Sequence, residues 1–195
     1  MKYILAVIQA YSTHQKRIQY IFTWIARFGY MLFLLYGIIE WLRPGAVQER
    51  LYRRRTLLYC LFSVAAGSGI SWIIGHIWHR RRPFVRHPDC LPLIPHKDNA
   101  SFPSNHSMNA MAASFMLLSR KNGWGIPFLI WSVVLGSSRI ICRLHYFSDV
   151  IGGFILGALS TAIIRQSRTA KQAATNILWI SDGMAEWFRQ WRQRW

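Results

Sequence analysis

Apolar residues along this chain come in blocks, and the charged residues gather in the links between them. That segregation is the pattern of a membrane protein. The longest uncharged block, residues 56–78, runs for 23 residues with His76 as its only readily ionisable side chain. It is long enough to cross a hydrocarbon core of about 30 Å. Upstream, residues 18–42 are apolar apart from Arg27 and Glu40. The pattern there predicts a span over 28–42 with a slanted or interfacial lead-in over 21–26. Three further blocks, 106–118, 124–141 and 149–164, hold 13, 18 and 16 residues. They are short for lipid-facing spans unless polar flanks extend them or the bilayer thins locally.

The expectation is an all-α polytopic membrane bundle of about five or six transmembrane helices, the short ones grouped around an internal polar site. Gly67, Gly69, Gly152, Gly153 and Gly157, with Ala65, Ala66, Ala112 and Ala113, supply small faces for close helix approach. From residue 165 the chain is basic and then amphipathic. Ile177, Ile180, Met184, Trp187, Phe188, Trp191 and Trp195 recur at helical steps, predicting a helix on the membrane surface. Docking on another protein is the plainer alternative for that face. The short apolar run at 3–11 has no cleavage site after it and reads as an uncleaved interfacial segment.

Composition sharpens this. Apolar residues make up 52% of the 195, and there are 10 Trp, which excludes a disordered chain. Lys and Arg number 24 against 7 Asp and Glu, a formal net charge of +17. Taken alone that charge suggests nucleic-acid binding, but its segregation from the apolar blocks argues for the membrane and for no nucleic-acid partner. The length suits one domain, 1–195, with a core over 18–164 and a tail over 165–195. Cys60, Cys90 and Cys142 are far apart and odd in number, so neither a disulfide framework nor a cysteine metal site is expected.

If the 43–55 link, the Arg120–Lys121 turn and the tail are cytoplasmic, they hold 13 of the 24 basic residues. The opposite side then carries a loop, 79–102, with Arg80, Arg81, Arg82, Arg86 and Lys97. An anionic ligand would account for that excess.

Three polar clusters fall at helix ends on this same side. They are Arg80-Arg81-Arg82-Pro83, then Pro103-Ser104-Asn105-His106, then Ser138-Arg139 followed by His145 and Asp149. Polar groups at membrane depth are expensive and usually functional. Arg82 and Arg139 offer planar donor forks suited to two phosphate oxygens at once. Pro103-Ser104-Asn105 reads as a helix start, where free N–H groups and the dipole favour an anion. His145 and Asp149, four apart, can share a helix face, so that a carboxylate orients one ring nitrogen and frees the other as a nucleophile. His106 supplies a second imidazole for acid chemistry on the leaving group. Singly, each has a bland reading: a snorkelling arginine, a structural histidine, a basic flank. Jointly they describe phosphoryl transfer through a phosphohistidine, with no metal or other cofactor required.

The set resembles the type-2 phosphatidic acid phosphatase superfamily, whose signature is K-x6-R-P, P-S-G-H and S-R-x5-H-x3-D. The third element is complete as Ser138-Arg139, His145 and Asp149. The second has Asn105 in place of Gly. In the first, Arg82-Pro83 match but Gly75 stands at the Lys position. The surrounding Leu93-Ile94-Pro95-His96 and Ala100-Ser101-Phe102 are similar to the bacitracin-resistance type of bacterial undecaprenyl-diphosphatase. The resemblance implies hydrolysis of undecaprenyl diphosphate, a polyprenyl diphosphate lipid, on the outer face of a bacterial plasma membrane. It implies His145 as nucleophile, Asp149 as its orienting partner and His106 as acid. Arg82, Ser104 and Arg139 would hold phosphate oxygens, with Asn105 at the helix start. Arg81, Arg80, His76 or His79 would stand in for the lysine. Another lipid phosphate as substrate, or an impaired relative that only binds lipid, stays open.

Overall fold

The computed structural model describes residues 16–87 and 91–192, with side chains as far as Ser181. The 3–11 segment, Cys90, and the side chains of Met184, Trp187, Phe188, Trp191 and Trp195 lie outside that description. Among the described residues there are eight helices and no strand. They are α1 (Lys16–Phe28), α2 (Met31–Leu42), α3 (Val47–Ile77), α4 (Pro83–Arg86), α5 (Asn105–Ser119), α6 (Gly125–Ile141), α7 (Phe147–Gln166) and α8 (Arg168–Arg192).

Two of these, α3 and α7, are long and apolar enough to cross a membrane. The α1–α2 pair, bent by 46°, makes a third if it counts as one span, and α6 is a shorter apolar helix. The all-helical fold read from the apolar blocks is therefore present, with two or three helices long and apolar enough to cross a membrane where the blocks predict about five or six spans.

Its interior mixes apolar side chains such as Met108, Met116, Leu117 and Leu135 with many small and polar ones, and on α7 the second kind prevails. On α7 the buried positions are Asp149, Val150, Gly153, Gly157, Ser160 and Thr161, while Ile151, Ile155, Leu159 and Ile163 form an outward stripe. Lipid is as apolar as leucine, so apolar side chains gain nothing by turning inward. Close backbone packing and interhelical hydrogen bonds hold the helices instead.

Helix α5 is central, against α3, α6 and α7. Gly153 faces Ser104, where an added Cβ would come within 2.7 Å of the main-chain oxygen, and Gly157 abuts the oxygen of Met108. The Gly153–Gly157 pair is thus the seam between α7 and α5. Thr161 Oγ1 donates to the Ala112 carbonyl at 2.9 Å, and Ser114 and Ser132 share a hydrogen bond at 2.7 Å between α5 and α6. Ser68 reaches Asn109 at 3.2 Å across the α3–α5 contact.

The first half of α8 docks on this same chain. Ala174 and Leu178 pack with Leu58, Tyr59 and Met116, while Ile177, Trp179 and Ile180 face outward. A layer of Ala26, Cys142 and Leu144, with Phe84, Leu93 and Ile94 against it, packs beside the link between α6 and α7.

Candidate active site

The link between α6 and α7 carries His145, and both of its ends are pinned by local hydrogen bonding. At the end of α6, Arg143 N donates to the Ile140 oxygen at 2.8 Å and Leu144 N to the Arg139 oxygen at 3.0 Å. This is a Schellman closure, which calls for a left-handed residue just past the cap. Arg143 takes that place with φ of +61°. At the start of α7, the Asp149 carboxylate accepts the N–H of the N-cap, Tyr146, at 2.9 Å. His145 therefore projects from a short segment with little freedom.

Its ring is buried, 4% exposed. Nδ1 lies 2.7 Å from the carbonyl oxygen of Ser101. A carbonyl can only accept, so the proton sits on Nδ1 and Nε2 keeps its lone pair. That lone pair faces Nη1 of Arg82 at 3.2 Å. Burial lowers the His145 pKa to about 4; Asp149 and the Ser101 carbonyl pull it up, and Arg82 and Arg139 push it further down. The imidazole is neutral at physiological pH, the form a nucleophile needs.

Asp149 stands 3.7 Å from Nδ1, beyond hydrogen-bond reach. The carboxylate expected to hold the ring directly acts one residue removed. It accepts the Ser101 hydroxyl and the Tyr146 N–H, and its other oxygen pairs with Arg80 Nη1 at 2.6 Å. Ser101 thus joins the pair, its hydroxyl on Asp149 and its carbonyl on His145.

Arg82 is also buried, and burial lowers its pKa to about 10. Its Nη1 reaches the Leu144 oxygen at 2.8 Å as well as His145, while Nε and Nη2 turn to Asn99 and Ala100. Arg139 is anchored at Nη1 on the Ala26 carbonyl at 2.8 Å. Its buried Nε has no acceptor among the described residues. An unmet donor on a buried guanidinium is costly, and an incoming anion would satisfy it.

Ser104 is fully buried at the N-cap of α5 and makes no side-chain cap bond. Its oxygen accepts from Ser107 at 3.0 Å, and its N–H donates to the Asp149 carbonyl at 3.0 Å. The second and third clusters meet there. The first-turn N–H groups of α5 add donors with no partner inside the helix.

The remaining predicted residues are placed differently. His106, on the first turn of α5, borders an apolar cavity of about 280 Å3 lined also by Tyr30, Phe33, Val64 and Leu135. Its ring meets Tyr30 edge-on at 5.9 Å. The Asn105 side chain turns toward α3 and takes the Ser71 hydroxyl at 2.5 Å, so only its backbone faces the helix start. Arg81 is exposed and lines an open vestibule with Trp78, Arg80, Arg86 and Ser148. Of the other stand-ins for the lysine, His76 folds back on the Trp72 carbonyl at 3.0 Å. Arg80 is held by Asp149 and Ser148 and stacks 4.3 Å from the Tyr146 ring.

Sequence reasoning gave no role to Asn99 or Ser101. Asn99 acts through its side-chain Oδ1 as well as its main-chain oxygen, and Ser101 through both its hydroxyl and its carbonyl, but an Asn or Ser in a loop carries no mark of which donor folding brings to it. Among the described residues, no group of three or more His, Cys, Asp and Glu side chains converges as a metal site.

Comparison with known proteins agrees with the motifs. The model of the PAP2 superfamily matches residues 56–173, which include all three clusters. The chain belongs to the PAP2 superfamily. Undecaprenyl-diphosphatase BcrC of Bacillus subtilis is 32% identical over 156 residues, 80% of this chain and 78% of that protein. A transmembrane PAP2-type phosphatidylglycerolphosphate phosphatase from Bacillus subtilis superposes with a TM-score of 0.56 at 26% identity. That match covers 82% of this chain and 85% of the other. Aquifex aeolicus LpxE shares the fold, with a TM-score of 0.59 at 19% identity, over 75% of this chain and 84% of that one. This PAP2 protein is a membrane lipid phosphatase by family, and its three motif clusters meet at one end of the bundle.

Proposed function

We propose that this chain hydrolyses undecaprenyl diphosphate to undecaprenyl phosphate and inorganic phosphate. The observation that carries the chemistry is the tautomer of His145. Nδ1–H is committed to the Ser101 carbonyl, and Nε2 keeps a lone pair beside the Arg82 guanidinium. In the proposed first step Nε2 attacks the terminal phosphorus, the bridging P–O bond breaks, and His106 protonates the departing lipid phosphate. In the second, water attacks the phosphohistidine with His106 now accepting its proton, the P–N bond breaks, and phosphate leaves. Arg82, Arg139, Ser104 and the α5 N-terminus stabilise the charge that develops on the phosphoryl oxygens. No metal or other cofactor takes part in these steps.

The lipid assignment rests on the likeness to undecaprenyl-diphosphatase BcrC. The apolar cavity beside His106 suits a hydrocarbon segment next to the scissile group. We place the chain in a bacterial plasma membrane as one domain of five or six spans, the shorter α5 and α6 completing the bundle. The site faces the extracytoplasmic side, and the tail from 165 lies along the cytoplasmic surface.

The test is phosphate release from C55 diphosphate by purified protein, which His145→Ala abolishes while the protein still inserts and melts normally. A second reading keeps the chemistry and changes the lipid, favoured by the structural match to the phosphatidylglycerolphosphate phosphatase. A higher kcat/KM on phosphatidylglycerophosphate than on C55 diphosphate would select it.

A further inference from the structure

Asn99 belongs to none of the three clusters, yet it closes one whole edge of Arg82. Its Oδ1 accepts from Nε at 3.0 Å and from Nη2 at 2.8 Å, and its main-chain oxygen accepts from Nε at 3.1 Å. The Ala100 carbonyl adds a contact to Nη2 at 3.3 Å. The amide orientation is unambiguous, because turning it over would set its own N–H groups against two donors. With Nε and Nη2 occupied, only the Nη1 corner points toward Nε2 of His145.

The position of this segment depends on a glycine. A Cβ at Gly75 of α3 would lie 3.3 Å from the Ala100 Cβ, so a larger side chain there presses directly on residues 99–100. Gly75 and Asn99 border the same cavity of about 310 Å3, so the segment has room to shift if it is pushed.

We propose that Asn99 is a positioning residue that decides which edge of Arg82 meets the reacting phosphoryl group. It clamps Nε and Nη2 against the loop and presents Nη1 beside the attacking nitrogen. A guanidinium recognises phosphate through a fixed planar fork, so rotating it by one edge changes which donors are offered. Without Oδ1, Arg82 keeps its charge and its main-chain contacts at positions 99, 100 and 144, but Nε and Nη2 lose the shared acceptor that fixes the fork's aim. The loss then falls on kcat more than on KM, because orientation matters most in the transition state. The role of Arg82 in turnover rests on the phosphatase reading above; the clamp itself does not.

The test is a double-mutant cycle on C55 diphosphate hydrolysis. Asn99→Ala is expected to lower kcat by about tenfold or more with KM changed by less than about threefold. Asn99→Asp, which keeps acceptors in the same place, restores most of that kcat. In an Arg82→Ala background, Asn99→Ala costs nothing further, because its effect passes through the missing guanidinium. Gly75→Leu, pressing on Ala100, gives the Asn99→Ala phenotype. Losses that add in the double variant, or full activity in Asn99→Ala, overturn the proposal.

A second measurement needs neither turnover nor an Arg82→Ala protein that folds. In protein labelled with 15N-arginine, the Arg82 Nε–H, assigned by its loss in Arg82→Lys, exchanges slowly with solvent. Asn99→Ala accelerates that exchange by about tenfold or more, and Asn99→Asp does not. Unchanged exchange in Asn99→Ala overturns the clamp whatever the activity. Absence of phosphate release from the unmodified protein, with exchange altered as expected, overturns the phosphatase reading and leaves the clamp standing.

Discussion

The carboxylate of Asp149 lies 3.7 Å from Nδ1 of His145, while the carbonyl of Ser101 takes that nitrogen's proton at 2.7 Å. The proposed nucleophile is oriented by a main-chain group, and the acidic residue four positions on holds the residue that holds it. Asp149 still raises the proton affinity of the ring through space, and through Arg80 it also fixes the start of the basic loop.

This arrangement separates two substitutions of the same residue. Asp149→Asn keeps an acceptor for Tyr146 N–H but removes the charge that balances an imidazolium or a phosphohistidine. Its kcat is expected to fall about 100-fold, with a smaller drop in melting temperature than Asp149→Ala, because the amide oxygen still serves Tyr146 while its N–H2 faces Arg80. Asp149→Ala also leaves Arg80, Ser101 and the Tyr146 N–H without their partner, and costs about 3 kcal/mol of stability. Thermal melting in detergent, read beside phosphate release, distinguishes the two. Equal melting temperatures would contradict the multiple anchoring.

The pH profile follows from His145. With its pKa lowered to about 4, the ring is neutral and nucleophilic above that value and protonated on Nε2 below it. The kcat/KM of the free enzyme should therefore stay level from neutral pH down to about 5 and fall through an acid limb near 4. An acid limb at about 6.5, the ordinary value for histidine, would mean the ring is not buried in the working enzyme.

Arg139 presents the opposite case from Arg82. One nitrogen is tied to the Ala26 carbonyl, and its buried Nε has no acceptor among the described residues. Arg139→Lys keeps the charge but not the fork, and is expected to lower kcat/KM by about 10- to 100-fold. Binding of orthovanadate, followed as protection against thermal unfolding, should weaken in parallel. Unchanged protection would remove Arg139 from the phosphoryl contacts.

The small and polar inner face of α7 predicts an unusual mutational asymmetry on that helix. Gly157→Leu places side-chain atoms against the Met108 main chain and is expected to destabilise the bundle by about 3 kcal/mol or to prevent folding. Ile155→Ala, on the outward stripe, should cost less than about 1 kcal/mol, since lipid replaces the lost contacts. A larger loss from Ile155→Ala than from Gly157→Leu, by melting in detergent, would reverse the assignment of faces.

Much of this was legible in the linear chain because it depends on residue type and spacing. Uncharged blocks of sufficient length foretell helices in lipid. Gly153 and Gly157, four apart, mark a close helix seam. His145 and Asp149, also four apart, fall at the start of one helix, and Arg139 and Ser104 sit at the ends of two others. The roles of Arg80, Arg81 and Arg82 were not separable in this way. They are consecutive and chemically alike, and they follow a helix end, where nothing in the residue types fixes which way each side chain turns. Only the tertiary structure buries Arg82, pairs Arg80 with Asp149 and leaves Arg81 exposed. Asn99 and Ser101 were invisible for a related reason. The atoms that matter most in them, the amide oxygen of Asn99 and the carbonyl of Ser101, are acceptors of kinds found in many loops, and an acceptor acquires a function only when folding brings a particular donor to it.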